Sequence, residues 1–167
     1  PEGFAPGVVD DRERLAAGDP ARTVWRPGEG DVSSRPGWFF HPTERAKTGE
    51  ELFAIWLASV GRGAGLNLNI APDPRGLILE RDVVELARFR GHVEAFTAVD
   101  LAPEAEITAS NTAAGDPRHL VSPGDDEVWA AAEPTAQIVL DLGRTVPIGG
   151  VRVEEAIGFG QRVSGFA

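Results

Sequence analysis

Apolar positions in the first part of the chain recur twice at helical spacing and once at strand spacing. Thr48-Gly49-Glu50-Glu51 precedes Leu52, Phe53, Ile55, Trp56, Leu57 and Val60. Thr48 and Glu51 stand where a reciprocal capping box needs them, each side chain accepting from the other residue's amide. The helix they start has apolar residues around most of its circumference, so it packs inside something larger. Gly61 is read as its left-handed stop. Leu66-Asn67-Leu68-Asn69-Ile70 then alternates strictly, which predicts a strand with one apolar and one amide face. A Pro- and Asp-rich turn over 71–76 leads to a second helix over 80–96, with Val83, Leu86, Phe89, Val93 and Phe96 on one stripe. Upstream, 11–17 reads as a short helical piece and 23–25 as a short strand stopped by Arg26-Pro27-Gly28.

Beyond residue 100 the pattern changes to short strands between Gly-, Pro- and Asp-rich links, at 106–110, 128–132, 137–142, 150–155 and 161–166. Such spacing predicts an antiparallel β-sandwich. Helix, strand, loop and helix before it read as α/β with at least one more strand–helix unit required upstream. The expected organisation is therefore α/β over 1–97 followed by all-β over 98–167, each incomplete. The chain begins at Pro1 and contains no Met, which also predicts a piece of a longer protein.

Composition removes several functional classes. Net charge is −10 with a pI of 4.7, which gives no electrostatic footprint for a phosphate backbone, so nucleic acid is not an expected partner. The charge is uneven: 1–94 carries 12 basic and 15 acidic groups, 95–167 carries 4 and 11. No apolar run approaches the ~20 residues of a membrane span, and no signal peptide opens the chain. Localisation is left open, a secreted or cell-envelope parent being compatible with the sequence. Zero Cys excludes disulfides and thiolate metal sites. His92 and His119 lie in separate segments of the sequence and do not form a metal-ligand spacing pattern, so no metal is expected. Gly61-Arg62-Gly63-Ala64-Gly65 lacks the Lys and the preceding strand of a phosphate loop.

The densest chemistry lies in 25–42, where Glu29, Asp31, Arg35 and His41 stand with Trp25 and Trp38 among Pro and Gly. Sugar sites have this make-up, aromatic faces packing on the ring and charged groups bonding its hydroxyls. If extended, Glu29 and Asp31 point the same way ~6.6 Å apart at ~3.3 Å per residue. By spacing alone they resemble a glycosidase pair. The same loop also reads as purely structural, with Asp31 pairing Arg35 and the Trp side chains filling core.

Trp25-x-Pro27-x-Glu29-x-Asp31-Val32-Ser33-x-Arg35-Pro36-Gly37-Trp38-Phe39-x-His41 closely resembles the signature of family 29 glycoside hydrolases, the retaining α-L-fucosidases, in their plant and bacterial α-1,3/1,4 branch. Ser59-Val60-Gly61-Arg62-x(3)-Leu66-x-Leu68-Asn69-Ile70-x-Pro72-Asp73-x-Arg75-Gly76 is similar to that family's following block. The resemblance implies the C-terminal part of a (β/α)8-like barrel, a double-displacement mechanism, a fucosylated carbohydrate as substrate and no cofactor. It implies Glu29 as acid/base, on a loop at the C-terminal rim of a strand, with an Asp nucleophile upstream of Pro1. Trp25, Trp38 and His41 become candidate substrate-binding residues. Arg35 is expected to hold the loop through Asp31, and Asn67 and Asn69 to face the barrel interior. Ser34, Gly30 and Phe40 depart from the family's commoner residues, and Phe40 lacks a hydroxyl that Tyr would offer substrate.

Thr108-Ala109-Ser110-Asn111-Thr112, Glu127-Val128-Trp129-Ala130 and 138–143 resemble a galactose-binding-like, F5/8-type-C sandwich, with Trp129 in its core. The competing reading of the whole chain is a non-catalytic carbohydrate-binding or structural piece.

Overall fold

The computed structural model describes residues 27–121, 128–159 and 162–166. Trp25, the strand read at 23–25 and the helical piece at 11–17 lie outside them. Gly28–Val151 forms one compact unit.

Its first half runs β1 (Glu29–Ser33), α1 (Gly49–Ser59), β2 (Gly65–Asn69) and α2 (Glu80–Thr97). The strands pair in parallel, from Glu29 opposite Gly65 to Ser33 opposite Asn69. Parallel pairing requires a crossover, and α1 supplies it. Residues 29–33 carry no periodic sign of a strand. Val32 is its one large apolar residue, so its extension is fixed by pairing with β2 and not by its own pattern.

The capping box forms as expected. Thr48 Oγ1 accepts from the Glu51 amide at 3.2 Å, and Glu51 Oε2 accepts from the Thr48 amide at 2.7 Å. Arg45 donates to the same carboxylate and holds it below the usual Glu range, with the Thr48 amide adding to the effect. Replacing Thr48 with Ala is expected to destabilise the unit by about 1 kcal/mol, read from a urea midpoint. The helix stop differs from the reading at Gly61. After Ser59 the chain tightens into a 3₁₀ turn, Val60–Arg62, and the left-handed residue is Gly63 at φ 78°. That extra turn lets Gly63 N donate to the Val60 carbonyl and Ala64 N to that of Ser59, both at 3.0 Å.

Both helices lie over the Leu66/Leu68 face of β2, where Trp56, Phe89 and Val93 help enclose an apolar groove of about 420 Å³. Phe53 stacks on Trp56 at 5.8 Å and on His92 at 5.6 Å, and meets Phe96 edge-on at 5.8 Å. The apolar stripes are only partly covered. Leu52 is fully buried, whereas Leu57, Val60, Val83 and Phe96 are exposed. A helix apolar most of the way round buries only the flank that meets a neighbour, here the α1–α2 contact.

In the second half, β3 (Glu106–Ala109) pairs antiparallel with β4 (Ile138–Asp141). The Asn111 side chain ties the end of β3 to the segment before β4. Its Oδ1 accepts from the amides of Ala132 and Glu133, and its Nδ2 donates to the Thr135 carbonyl at 3.0 Å. Trp129 is half-buried, with Nε1 donating to Thr112 Oγ1 at 2.9 Å. The other strand readings are corrected. Residues 128–132 form one isolated bridge, Ala114 to Ala130, and 150–155 and the described part of 161–166 form none. Alternation makes a strand only where a neighbouring ladder accepts its N–H and C=O groups. The described residues offer two strands here, short of a sandwich. Arg152–Phe159 and 162–166, taken by themselves, hold a 3₁₀ turn, Ile157–Phe159, and a Glu155 carboxylate accepting from the Arg162 and Val163 amides.

No helix among the described residues is long and apolar enough to cross a membrane.

Candidate active site

Because β1 and β2 are parallel, the loops that follow them, 34–48 and 70–79, leave from the same end of the pair. Three side chains and one backbone amide bind that end together. Ser34 N extends the ladder to the Asn69 carbonyl at 2.9 Å. Asn69 Nδ2 donates to Ser33 Oγ at 3.1 Å and to the Trp38 carbonyl at 2.9 Å. Ser33 Oγ donates in turn to the Gly37 carbonyl at 2.6 Å. Lys47 Nζ donates to the Ser33 and Arg35 carbonyls at 2.6 and 3.2 Å.

At the centre is Arg35, wholly buried. Its Nε and Nη2 donate to Asp82 Oδ2 at 2.9 and 2.7 Å, and its Nη1 to the carbonyls of His41 and Glu44. The guanidinium carbon also lies 4.9 Å from the centre of the Phe40 ring. The expected Arg35–Asp31 pair is thus corrected. Asp31 sits within β1 and is exposed on its polar face, while Arg35 lies past the strand's end and reaches the first turn of α2. Phe40 is half-buried, with Arg35 over its ring.

The sequence-predicted site residues do not all come together. Trp38 is 51% exposed and His41 is exposed, both on the loop beyond the C-terminal end of β1. Phe39, not singled out by the sequence, is more exposed still at 80%. Glu29 is the first residue of β1 and exposed, not on a loop at a C-terminal rim. Four steps of ~3.3 Å put it about 13 Å along the strand from Ser33. Glu29, Asp31 and Ser33 share one face of β1, opposite Gly65, Asn67 and Asn69, so the amide face of β2 continues the polar face of β1. Asn69 turns its amide to the loop as a hydrogen-bonding support.

The loop after β2 has its own anchor. Asp73 is buried and accepts from the amides of Arg75 and Leu77 and from the Arg75 guanidinium. Arg75 beside it holds the carboxyl below the usual Asp range. The charged form therefore persists at neutral pH, and the tie is lost only as pH falls through that lowered value. Asp82, Lys47 and Asp73 were legible as charges but not as supports, since nothing local marks their partners. Among the described residues no group of His, Asp and Glu is placed to hold a metal ion.

Strand–helix units with parallel pairing, their loops gathered at one end, are the pieces from which (β/α) barrels with sites at the C-terminal face are built. No family model matches the chain. It is 34% identical over 162 residues to a relative from Oryza sativa subsp. japonica and 34% identical over 157 residues to Alpha-L-fucosidase 1 of Arabidopsis thaliana. These matches take in 92% and 89% of this chain and 31% of each relative, so it spans under a third of their length. SpGH29 superposes with a TM-score of 0.68 at 40% identity, over 76% of this chain and 29% of that one. A Ruminococcus gnavus GH29 fucosidase solved with fucose gives 0.62 at 26% identity, over 72% and 26%. In sequence and in fold alike, the chain is similar to α-L-fucosidases of the GH29 family.

Proposed function

We propose that the protein to which this chain contributes is a retaining, exo-acting α-L-fucosidase that releases terminal fucose from oligosaccharides or glycoconjugates. The observation that carries the proposal is that sequence relatives and structural neighbours both lead to fucosidases. The α-1,3/1,4 branch rests on the motif in 25–41. The domain division at 97 and the galactose-binding-like sandwich belong to the same proposal, supported by the change from parallel to antiparallel pairing along the chain.

Retention needs two carboxyl groups ~5–5.5 Å apart, one attacking the anomeric carbon and the other protonating the departing oxygen, then activating water. The nucleophile Asp belongs to a strand outside these residues. Trp38 offers an apolar face and His41 a ring nitrogen to the sugar, on a loop held by Arg35 and Asn69. Trp25 is assigned to substrate by the motif alone. For the acid, the motif assigns Glu29. The direction of β1 favours a second reading. Barrel chemistry occurs at the C-terminal ends of strands, and Glu29 opens its strand at the other end. On this reading both catalytic carboxyls come from other strands, and Glu29 helps fill the interior.

Glu29→Gln in the full-length protein separates the two. With Glu29 as a filler, turnover of a fucosylated oligosaccharide stays within a few-fold of wild type, and this is the expected result. With Glu29 as the acid, that activity collapses, an aryl fucoside with a good leaving group is still attacked, and azide restores turnover as fucosyl azide. If wild type releases no fucose from either substrate, the binding-module reading takes its place.

A further inference from the structure

Gly28–Val151 is one compact unit, yet its two sheets share no strand. β1 and β2 lie with the helices before residue 98, and β3 and β4 follow it. Covalently the halves are joined through 98–105, between α2 and β3. A second junction comes after β4, where the chain returns to the C-terminal end of α2. A Cβ on Gly149 would lie 3.8 Å from Phe96 Cδ2, and one on Gly150 would lie 2.6 Å from Phe96 Cζ. Neither glycine has a positive φ, so backbone conformation does not call for glycine at either position. What Gly150 provides is the absence of a side chain against the ring.

The ring itself is held from the other side. Phe96 stands edge-on to Phe53 at 5.8 Å and to Trp56 at 6.2 Å, both on α1. Turning it aside to admit a side chain at 150 would break both contacts. Arg144, in the same returning stretch, pairs with Glu104 at 3.1 Å, but both side chains are more than half exposed, and such a pair adds little. The Phe96 contact is therefore the one that can fix the halves. We infer that 142–150 is a strap: by seating Gly149 and Gly150 on the Phe96 ring, it closes the β3–β4 half onto the helix pair. The two halves then open together, and 98–105 does not act as a free hinge. The strap works in this way whatever carbohydrate the full-length protein handles.

The test is amide hydrogen exchange on the full-length protein, comparing peptides over 106–109 and 138–141 with peptides over α2. Exchange through a local opening is faster than exchange through a joint one. Gly150→Val overpacks the seat and is expected to speed exchange in 106–109 and 138–141 by roughly ten-fold, with 80–90 close to wild type. Phe96→Ala removes the seat and is expected to speed the same strands. Adding Gly150→Val to Phe96→Ala is then expected to change little more, because both act through one contact. Unchanged strand exchange in Gly150→Val overturns the strap, and so do effects that simply multiply in the double variant. Should Gly150→Val fail to fold, Gly150→Ala decides. Such a change ordinarily favours folding where φ permits it. Faster strand exchange is expected here instead, and equal or slower exchange overturns the inference.

Discussion

Asp82→Ala is expected to destabilise the folded protein by about 3–5 kcal/mol, measured as a shift in urea midpoint. Arg35 is 0% exposed, and Asp82 supplies its counter-charge through two of its nitrogens. Truncating the carboxylate leaves a guanidinium inside the protein with only two carbonyls to face. Against a typical stability of about 5–15 kcal/mol, a loss of that size is a large share of the total. A double variant, Arg35→Met with Asp82→Leu, is expected to recover part of it, because no charge is then stranded. It still loses the Arg35 bonds to the His41 and Glu44 carbonyls, so loop 34–48 is released even where stability returns. If the full-length protein is the proposed fucosidase and Trp38 and His41 meet its substrate, the double variant is expected to show a raised KM for fucose release, since both residues ride on that loop. A midpoint for Asp82→Ala within 1 kcal/mol of wild type would mean that water reaches Arg35 and the pair is not what holds the rim.

What could be seen in advance divides by range. The Thr48/Glu51 box and the alternation of 66–70 were legible because each is decided within a few residues, and both elements formed where read. β1 was not, because Glu-Gly-Asp-Val-Ser has no apolar alternation and becomes a strand only through β2. Arg35 was paired in sequence with the nearest acid, Asp31, yet its partner is 47 positions away on α2. No local pattern can single out one carboxylate among many at that distance. The same limit governs the candidate site. Residue types and motif order led to a resemblance to fucosidases, and the loop bearing Trp38 and His41 follows the C-terminal end of β1. The position of Glu29 along β1 could not be read, since that needs the strand's direction and register. In the second half the alternating runs at 128–132 and 150–155 overstated the sheet, for alternation says which face a strand would have and not whether a neighbour exists to pair with it.

Gly49→Ala is expected to destabilise by about 1–3 kcal/mol, and Gly49→Val by more, although general helix energetics has the opposite sign. Gly to Ala within a helix ordinarily favours folding by roughly 0.5–1 kcal/mol. Here the first residue of α1 lies directly against α2. A Cβ on Gly49 would come within 2.6 Å of the Arg88 Cβ and 2.7 Å of the Phe89 backbone nitrogen. The second of these is decisive, because a helical backbone atom cannot swing aside as a side-chain tip would. Relief would require α1 and α2 to separate, which would stretch the Gly49 amide from the Glu85 carboxylate it now meets at 2.9 Å. It would also open the Phe53–His92 and Phe53–Phe96 contacts. Clash therefore outweighs propensity. The sequence showed Gly49 only as a spacer inside a capping box; its requirement comes from the approach of a helix that begins at Glu80. Urea midpoints of Gly49→Ala and Thr48→Ala on the same protein distinguish the causes. If Gly49→Ala is neutral or stabilising, the helices have room to part and the close approach is not a constraint. If it exceeds the loss from Thr48→Ala, the contact between the two helices limits stability more than the cap that starts the first of them.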